Sequence, residues 1–226
     1  MKKVISFLWT LPRMIWLNIR LLPFNQAVRL PIIFTHDTQW IIRGGVRILT
    51  DKVFFGMIRI GISEEQVINT KIPSVLIIDG ELTFNKAAYF GKGTRIKIKK
   101  GAELVVGHNT MITGNTSVVC YQRIELGAEC MLSWDILIMD SDTHPIVDKE
   151  GRVINQNKTV SIGDKVWIGC RSMVLKGSNI PANCVIAAGT VVTCQRKQTL
   201  QPSTIIAGNP PSSVKEIQEW SRYPIQ

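Results

Sequence analysis

The chain has 226 residues, 45% of them hydrophobic and 7% aromatic, with a formal net charge of +10. That length suits one large folded unit and requires no second domain. The charge is uneven: Lys2, Lys3, Arg13, Arg20, Arg29, Arg43, Arg47, Lys52 and Arg59 are set against only Asp37 and Asp51 in the first 60 residues. Such asymmetry points to an anionic surface as partner. No nucleic-acid-binding motif is present, and the basic residues are interleaved with Trp, Leu, Ile and Phe, which fits a membrane face instead. The five cysteines, Cys120, Cys130, Cys170, Cys184 and Cys194, are odd in number and contain no C-x-x-C pair. They read as buried or half-buried reduced thiols of a cytosolic protein.

Residues 1–45 form a basic segment of their own. Met1-Lys2-Lys3 and the run from Val4 to Trp9 open like a signal peptide, but Pro12 and Arg13 break the run and no small-residue cleavage site comes after them. A spanning helix needs about 20 apolar residues with few charges, and Arg20, Pro23, Arg29 and Pro31 keep interrupting. Trp9, Met14, Ile15, Trp16, Ile19, Leu21 and Leu22, with Arg13 and Arg20, predict either an interfacial amphipathic segment or a helix capping the open end of a repeat structure.

From Trp40 the pattern is that of strands, with Ile41, Ile42, Val46, Ile48, Val53, Phe55, Ile58 and Ile60, then a loop at residues 63–73 that contains Glu64 and Glu65. Aliphatic positions resume at Ile78, Leu82, Phe84, Phe90 and Ile96, then run every sixth residue through Val106, Ile112, Val118 and Ile124. The register slips by two to Leu126, Leu132 and Ile138. Residues 140–158 are polar, holding Asp140, Asp142, His144, Asp148, Glu150 and Asn157, and predict a loop protruding from the repeat.

The repeat is clearest at Ile162, Ile168, Val174, Ile180, Ile186 and Val192, with Val166, Ser172, Ser178, Cys184 and Thr190 forming a second column of small or β-branched residues. A period of six belongs to neither a helix nor a half-buried strand. It is satisfied by a coil of three short strands stacked about 4.8 Å apart, a parallel β-helix. The β-helix is placed at residues 46–211. After a last strand at 204–208, Pro210-Pro211 stops the run, and Ser212 reads as the N-cap of a short C-terminal helix to about Arg222 within 212–226.

The hexads, together with Val166-Trp167-Ile168-Gly169, Ala187 to Thr193, Ile206-Ala207-Gly208-Asn209-Pro210-Pro211 and Asp142-Thr143-His144-Pro145, resemble the hexapeptide-repeat acyltransferases, and among them the bacterial sugar O-acetyltransferases. The likeness covers roughly residues 75–220. It implies a left-handed β-helix, a homotrimer with sites between subunits, acetyl-CoA as acyl donor and no metal. It implies direct acetyl transfer to a carbohydrate hydroxyl, in surface polysaccharide or lipid-linked glycan synthesis, by a cytoplasmic protein peripheral on the inner membrane face. His144 occupies the position of the general base, a task suited to imidazole at neutral pH. Asp142 or Asp140 would orient its ring. Coenzyme A contacts carry over onto Cys170, Ala188, Thr193 and Lys215. Cys170 stands where serine is common, and Ser212 where a basic residue is common, a loss that Arg196 and Lys197 would offset. Asn115 and Trp134 are candidates for the sugar, or else surface corner residues. Trp167 reads as corner packing. His108 points outward in the hexad and would face His144 across a cleft between subunits.

Other readings are N-acyl transfer to an amino sugar, xenobiotic acetylation, and a non-catalytic scaffold at a membrane. A zinc site of the γ-carbonic-anhydrase kind wants three protein ligands; His36 precedes the repeats, leaving only His108 and His144.

Overall fold

The computed structural model describes residues 2–62, 71–194 and 200–223, with side chains from Trp9 onward. Glu64, Glu65, Arg196 and Lys197 lie outside the described residues. Three sheets of nine, seven and six strands form the faces of a triangular prism; they are parallel, with neighbouring strands three apart in sequence order, except at the last two strands of the nine-stranded sheet. The chain therefore visits each face once per coil.

The hexad columns explain the prism. Ile162, Ile168, Val174, Ile180, Ile186 and Val192 are all at most 2% exposed and point inward from successive faces. The small residues of the second column sit at the corners. There Ser172 Oγ donates to Ala187 O at 3.1 Å and Ser178 Oγ to Val192 O at 3.0 Å, so each corner hydroxyl finds an acceptor in the coil above. At one edge Gly107, Gly127 and Gly163 stack so closely that a Cβ on Gly127 would lie 2.4 Å from the Gly163 carbonyl carbon. The two-residue slip also has a cause. The strand Arg123–Leu126 places both Ile124 and Leu126 inward, pairing with Val160 and Ile162. Among the described residues the first fifteen strands in chain order have three to five residues and the next five have two, so the repeat shortens along the chain.

Both ends are closed by side chains or strands that take the place of a missing coil. Helix α1 (Lys2–Leu21) packs on the first strands, Ile32–Phe34 and Gly45–Ile48. It continues through Pro12, which lies on its exposed side. Its Asn18 is fully buried and acts as a surrogate strand: Ile32 N donates to Asn18 Oδ1 at 3.0 Å, and Asn18 Nδ2 donates to Ile32 O at 2.9 Å. Arg13 donates to His36 O and Thr38 O, and Arg20 to Ile42 O. From the short helix α2 (Phe24–Ala27), Gln26 donates to Ile48 O and Thr50 O. These contacts lay the helix over the first coil. Among the described residues no helix is long and apolar enough to cross a membrane.

At the other end the expected C-terminal helix is absent. Ser212–Glu216 is a strand, antiparallel to Thr204–Ala207. Two serines and a β-branched valine are poor helix formers, and the last strand of the nine-stranded sheet would otherwise present an unpaired edge. Beyond it the chain descends one edge of the prism. Asn183 Nδ2 donates to Gln218 O, Trp220 Nε1 to Lys165 O, and Arg222 to Asn109 O.

All five cysteines are free thiols. Burial pushes Cys120 up to about 12, with Asp140 beside it adding to the effect, and burial pushes Cys130 up to about 11. Both stay protonated and unreactive at neutral pH.

Replacing Asn18 with Ala would leave the Ile32 N–H and C=O buried without partners and should lower stability by about 2 kcal/mol. Urea unfolding of the variant beside the native chain measures this directly.

Candidate active site

A long excursion from the repeat follows Ile138. Ile138 pairs with Val174, whereas Val174 pairs with Val192, 18 residues on. The extra chain leaves the edge between the seven- and six-stranded sheets, after Leu137–Met139, and returns at Val160–Ile162. It carries His144.

The base of this loop is set by Asp140, which is fully buried. Its carboxylate accepts from the backbone N–H groups of Tyr121, Gln122 and Arg123 at 2.7, 2.7 and 2.8 Å. Sequence alone offers Asp140 as a partner for the His144 ring. The structure corrects this: its oxygens are committed to three backbone donors in the turn of the preceding coil.

His144 comes directly after a tight reversal. Its N–H bonds to Asp142 O at 2.7 Å across Thr143, whose φ is +63°. An i to i+2 bond about a residue with positive φ is the rarer, strained γ-turn, and a β-branched residue there is unusual. Two groups hold it. Ser141 Oγ accepts from Thr143 N at 2.9 Å. Asn155, from the returning arm, brackets the histidine: Oδ1 accepts from Ile146 N at 2.6 Å, and Nδ2 donates to His144 O at 2.8 Å and to Asp142 Oδ2 at 2.9 Å. Lys176, at the same edge one coil on, pairs with Asp142 and donates to Asn155 O at 3.0 Å. Asp142 thus fixes the backbone around His144, and its carboxylate bonds Lys176 and Asn155 instead of the ring. The Lys176 ammonium, then the Asn155 amide, hold the Asp142 carboxyl below the usual carboxylate range.

The exposed His144 side chain borders a cleft of about 330 Å³, lined also by Lys99, Tyr121, Thr143, Val153 and Asn157. Lys97 and Lys99 lie over the Tyr121 ring, 5.6 and 5.1 Å from its centre. Tyr121, Lys99, Asn155 and Lys176 are not singled out by sequence. The first two are detectable once the coil length is known, because Lys99 N bonds Cys120 O and so places them at one edge.

The other site candidates lie elsewhere in the chain. Cys170 and Ala188 are stacked at the edge between the nine- and seven-stranded sheets, with Gly189 N bonded to Cys170 O at 3.0 Å. Asn115 and Trp134 occupy that same edge lower down. Asn115, in a left-handed conformation with φ +47°, donates to Asp135 and accepts from Arg95. Thr193 follows Val191–Val192, above the His144 edge. Lys215 is exposed on the terminal strand, opposite Ile205. The seven-stranded face separates the two edges, and its outward residues there include Leu137, Met139, Met173 and Val191. Within one chain, then, His144 is not in contact with Cys170, Ala188, Asn115 or Trp134. Trp167 packs on Trp220 at 6.0 Å and donates to Ser133 Oγ, a corner-packing role. His108 is on the third edge, 3.7 Å from Glu129. Among the described residues no three His, Cys, Asp or Glu side chains converge as a metal would need.

No family model matches the chain. A polysialic acid O-acetyltransferase from Escherichia coli O1:K1 / APEC is 30% identical over 125 residues, 54% of this chain and 39% of that protein. The galactoside O-acetyltransferase of Escherichia coli K12 is 25% identical over 126 residues, 54% of this chain and 59% of that protein. The matched regions thus span only about half the length of these curated relatives. A crystal structure of the polysialic acid O-acetyltransferase OatWY superposes with a TM-score of 0.55 at 25% identity, covering 86% of this chain and 92% of that one. Fold and repeat define a hexapeptide-repeat left-handed β-helix. Its likeness is to acyltransferases built on that fold, the polysialic acid and galactoside O-acetyltransferases among them.

Asn155→Ala should free both sides of His144 and raise the exchange rate of the Ile146 amide by about tenfold, at a cost of about 1 to 2 kcal/mol of local stability. Hydrogen exchange read by mass spectrometry tests it. The Asp142 pairing has a defined pH range. Because the folded pKa is depressed, its contribution is present above the unfolded value of about 3.9 and is lost as pH falls through the lower folded value. Loop exchange, corrected for the intrinsic rate, should therefore be flat from neutral pH down to about 4 and rise below it.

Proposed function

We propose that the protein is an acetyl-CoA-dependent O-acetyltransferase acting on a carbohydrate hydroxyl, in the synthesis of a surface polysaccharide or lipid-linked glycan. What supports this most is a single arrangement: one histidine, held by Asn155, Asp142 and Lys176 at the break in the β-helix, bordering an open cleft. His144 accepts the proton of the acceptor hydroxyl as that oxygen attacks the thioester carbonyl, then returns it to the departing sulfur. Acetyl-CoA supplies the activated acetyl group. No covalent enzyme intermediate is needed.

Cys170 and Ala188 offer an edge of small side chains to the pantetheine arm, and the apolar strip of Met173 and Val191 leads from that edge towards His144. Thr193 lies beside the end of that path, and Lys215 offers a charge to phosphate. Asn115 and Trp134 contact the acceptor. Because these groups and His144 occupy different edges of one prism, the reading includes a homotrimer, in which a parallel neighbour brings a second edge to each cleft. The polysialic acid and galactoside O-acetyltransferases among the relatives make a sugar the acceptor of choice. The basic first quarter holds the protein on an anionic membrane, at the cytoplasmic face.

His144→Ala should leave melting temperature and assembly unchanged, since the side chain is exposed, and should reduce transfer by about 10²- to 10⁴-fold. Thiol release from acetyl-CoA across sugars, nucleotide sugars and oligosaccharides tests the reading. An unimpaired variant removes His144 as base, and a native chain that neither binds nor turns over acetyl-CoA removes the enzyme reading.

A further inference from the structure

The outer face of α1 is apolar where a solvent-facing helix would be polar. Trp9 is 80% exposed and Trp16 57%, with Ile15 and Ile19 beside them on the side opposite the buried Met14, Leu17 and Asn18. Phe24, 74% exposed, and Val28 extend the patch through α2. No acidic residue occurs in α1. Arg13, Arg20 and Arg29 donate to backbone carbonyls, and among the described residues none of the three meets a carboxylate, so their charges stand unneutralised around the patch. Apolar surface edged by uncompensated arginine is the complement of an anionic bilayer: aromatic rings enter the headgroup region while guanidinium groups stay at the phosphates.

The orientation is set by where α1 is tied. Its hydrogen bonds to the solenoid run to Ile32, His36, Thr38 and Ile42, on or beside the first strand of the nine- and seven-stranded sheets. The helix is therefore a lid across the end of the prism, and its free face looks along the solenoid axis. We propose that the protein docks end-on to an anionic bilayer through this lid, with the β-helix standing away from the surface. His144 follows the fifth strand of its sheet, so it stands four coil spacings above the first, roughly 19 Å. Its acceptor is then a membrane-tethered glycan acetylated several sugars from its anchor. In a trimer with parallel axes three lids face the same plane, and the contacts reinforce one another. The inference deepens the membrane contact proposed above and does not depend on the acyl-transfer chemistry, so the two fail separately.

Arginine replacements are a poor test, because Arg13 and Arg20 also cap carbonyls of the first coil. The full chain is instead floated with vesicles of phosphatidylcholine alone and of equal phosphatidylcholine and phosphatidylglycerol. Native protein should float with the mixed vesicles only, and Trp9→Ser with Trp16→Ser should lower the partition coefficient by about tenfold at an unchanged melting temperature. Orientation is read by energy transfer to a headgroup-labelled lipid, from a fluorophore on the exposed Cys194 or on Phe24→Cys in a Cys194→Ser background. Strong transfer from position 24 and weak transfer from 194 is expected. A native chain that does not float, a tryptophan variant that floats like native, or equal transfer from both positions would each overturn end-on docking.

Discussion

Everything in this molecule rests on the parallel ladder between coils. Each short strand finds hydrogen-bond partners only in the coil before and the coil after, so the main chain is satisfied by stacking and not by any single turn. The aliphatic columns make stacking favourable by giving every coil a dry centre of the same width. The constraint is unforgiving at the ends and at the excursion that carries His144, and those are where the chain uses unusual side chains. Asn18 imitates a strand at the first coil, and Ser212–Glu216 supplies an actual one at the last. Asp140 plays the same part inside, repairing three donors in the turn beneath the excursion.

The site inherits its rigidity from that repair. A histidine on a long exposed loop would ordinarily sample many positions. Here the loop leaves from a buried carboxylate, closes on Asn155 and is pinned from the next coil by Lys176. The strained turn at Thr143 is tolerated because its neighbours over-determine it. A solenoid suits such a loop, since each coil offers a fresh corner at a fixed spacing from the last.

The β-helix is legible in the sequence because its signal is redundant: six inward aliphatics and five corner residues at one spacing leave little room for another fold. The loop and His144 are legible because they break that spacing. Asn155 and Lys176 are not, since nothing local distinguishes them from other polar residues, and their importance arises only when a returning arm and a later coil meet at one edge. Asp140 misleads because a carboxylate four residues from a histidine suggests a partnership, while backbone donors 17 to 19 residues away claim it. The C-terminal helix fails for a related reason. A plausible cap at Ser212 is a local feature, and the unpaired sheet edge that overrides it is a property of the whole stack. That the amphipathic segment lies over the first coil depends on contacts that no spacing rule reveals.

The returning C-terminal strand has a mechanical consequence. A solenoid pulled from its last coil would normally peel one coil at a time, each step breaking only a few bonds. In this chain the segment after Glu216 runs back down the prism and fastens at Asn183, Lys165 and Asn109. Traction on the C-terminus therefore loads those attachments in turn, starting from the one deepest in the stack, before the terminal coil feels any force. The tail works as a strap over the outer coils, and resistance to stretching is concentrated in a few side chains along one edge.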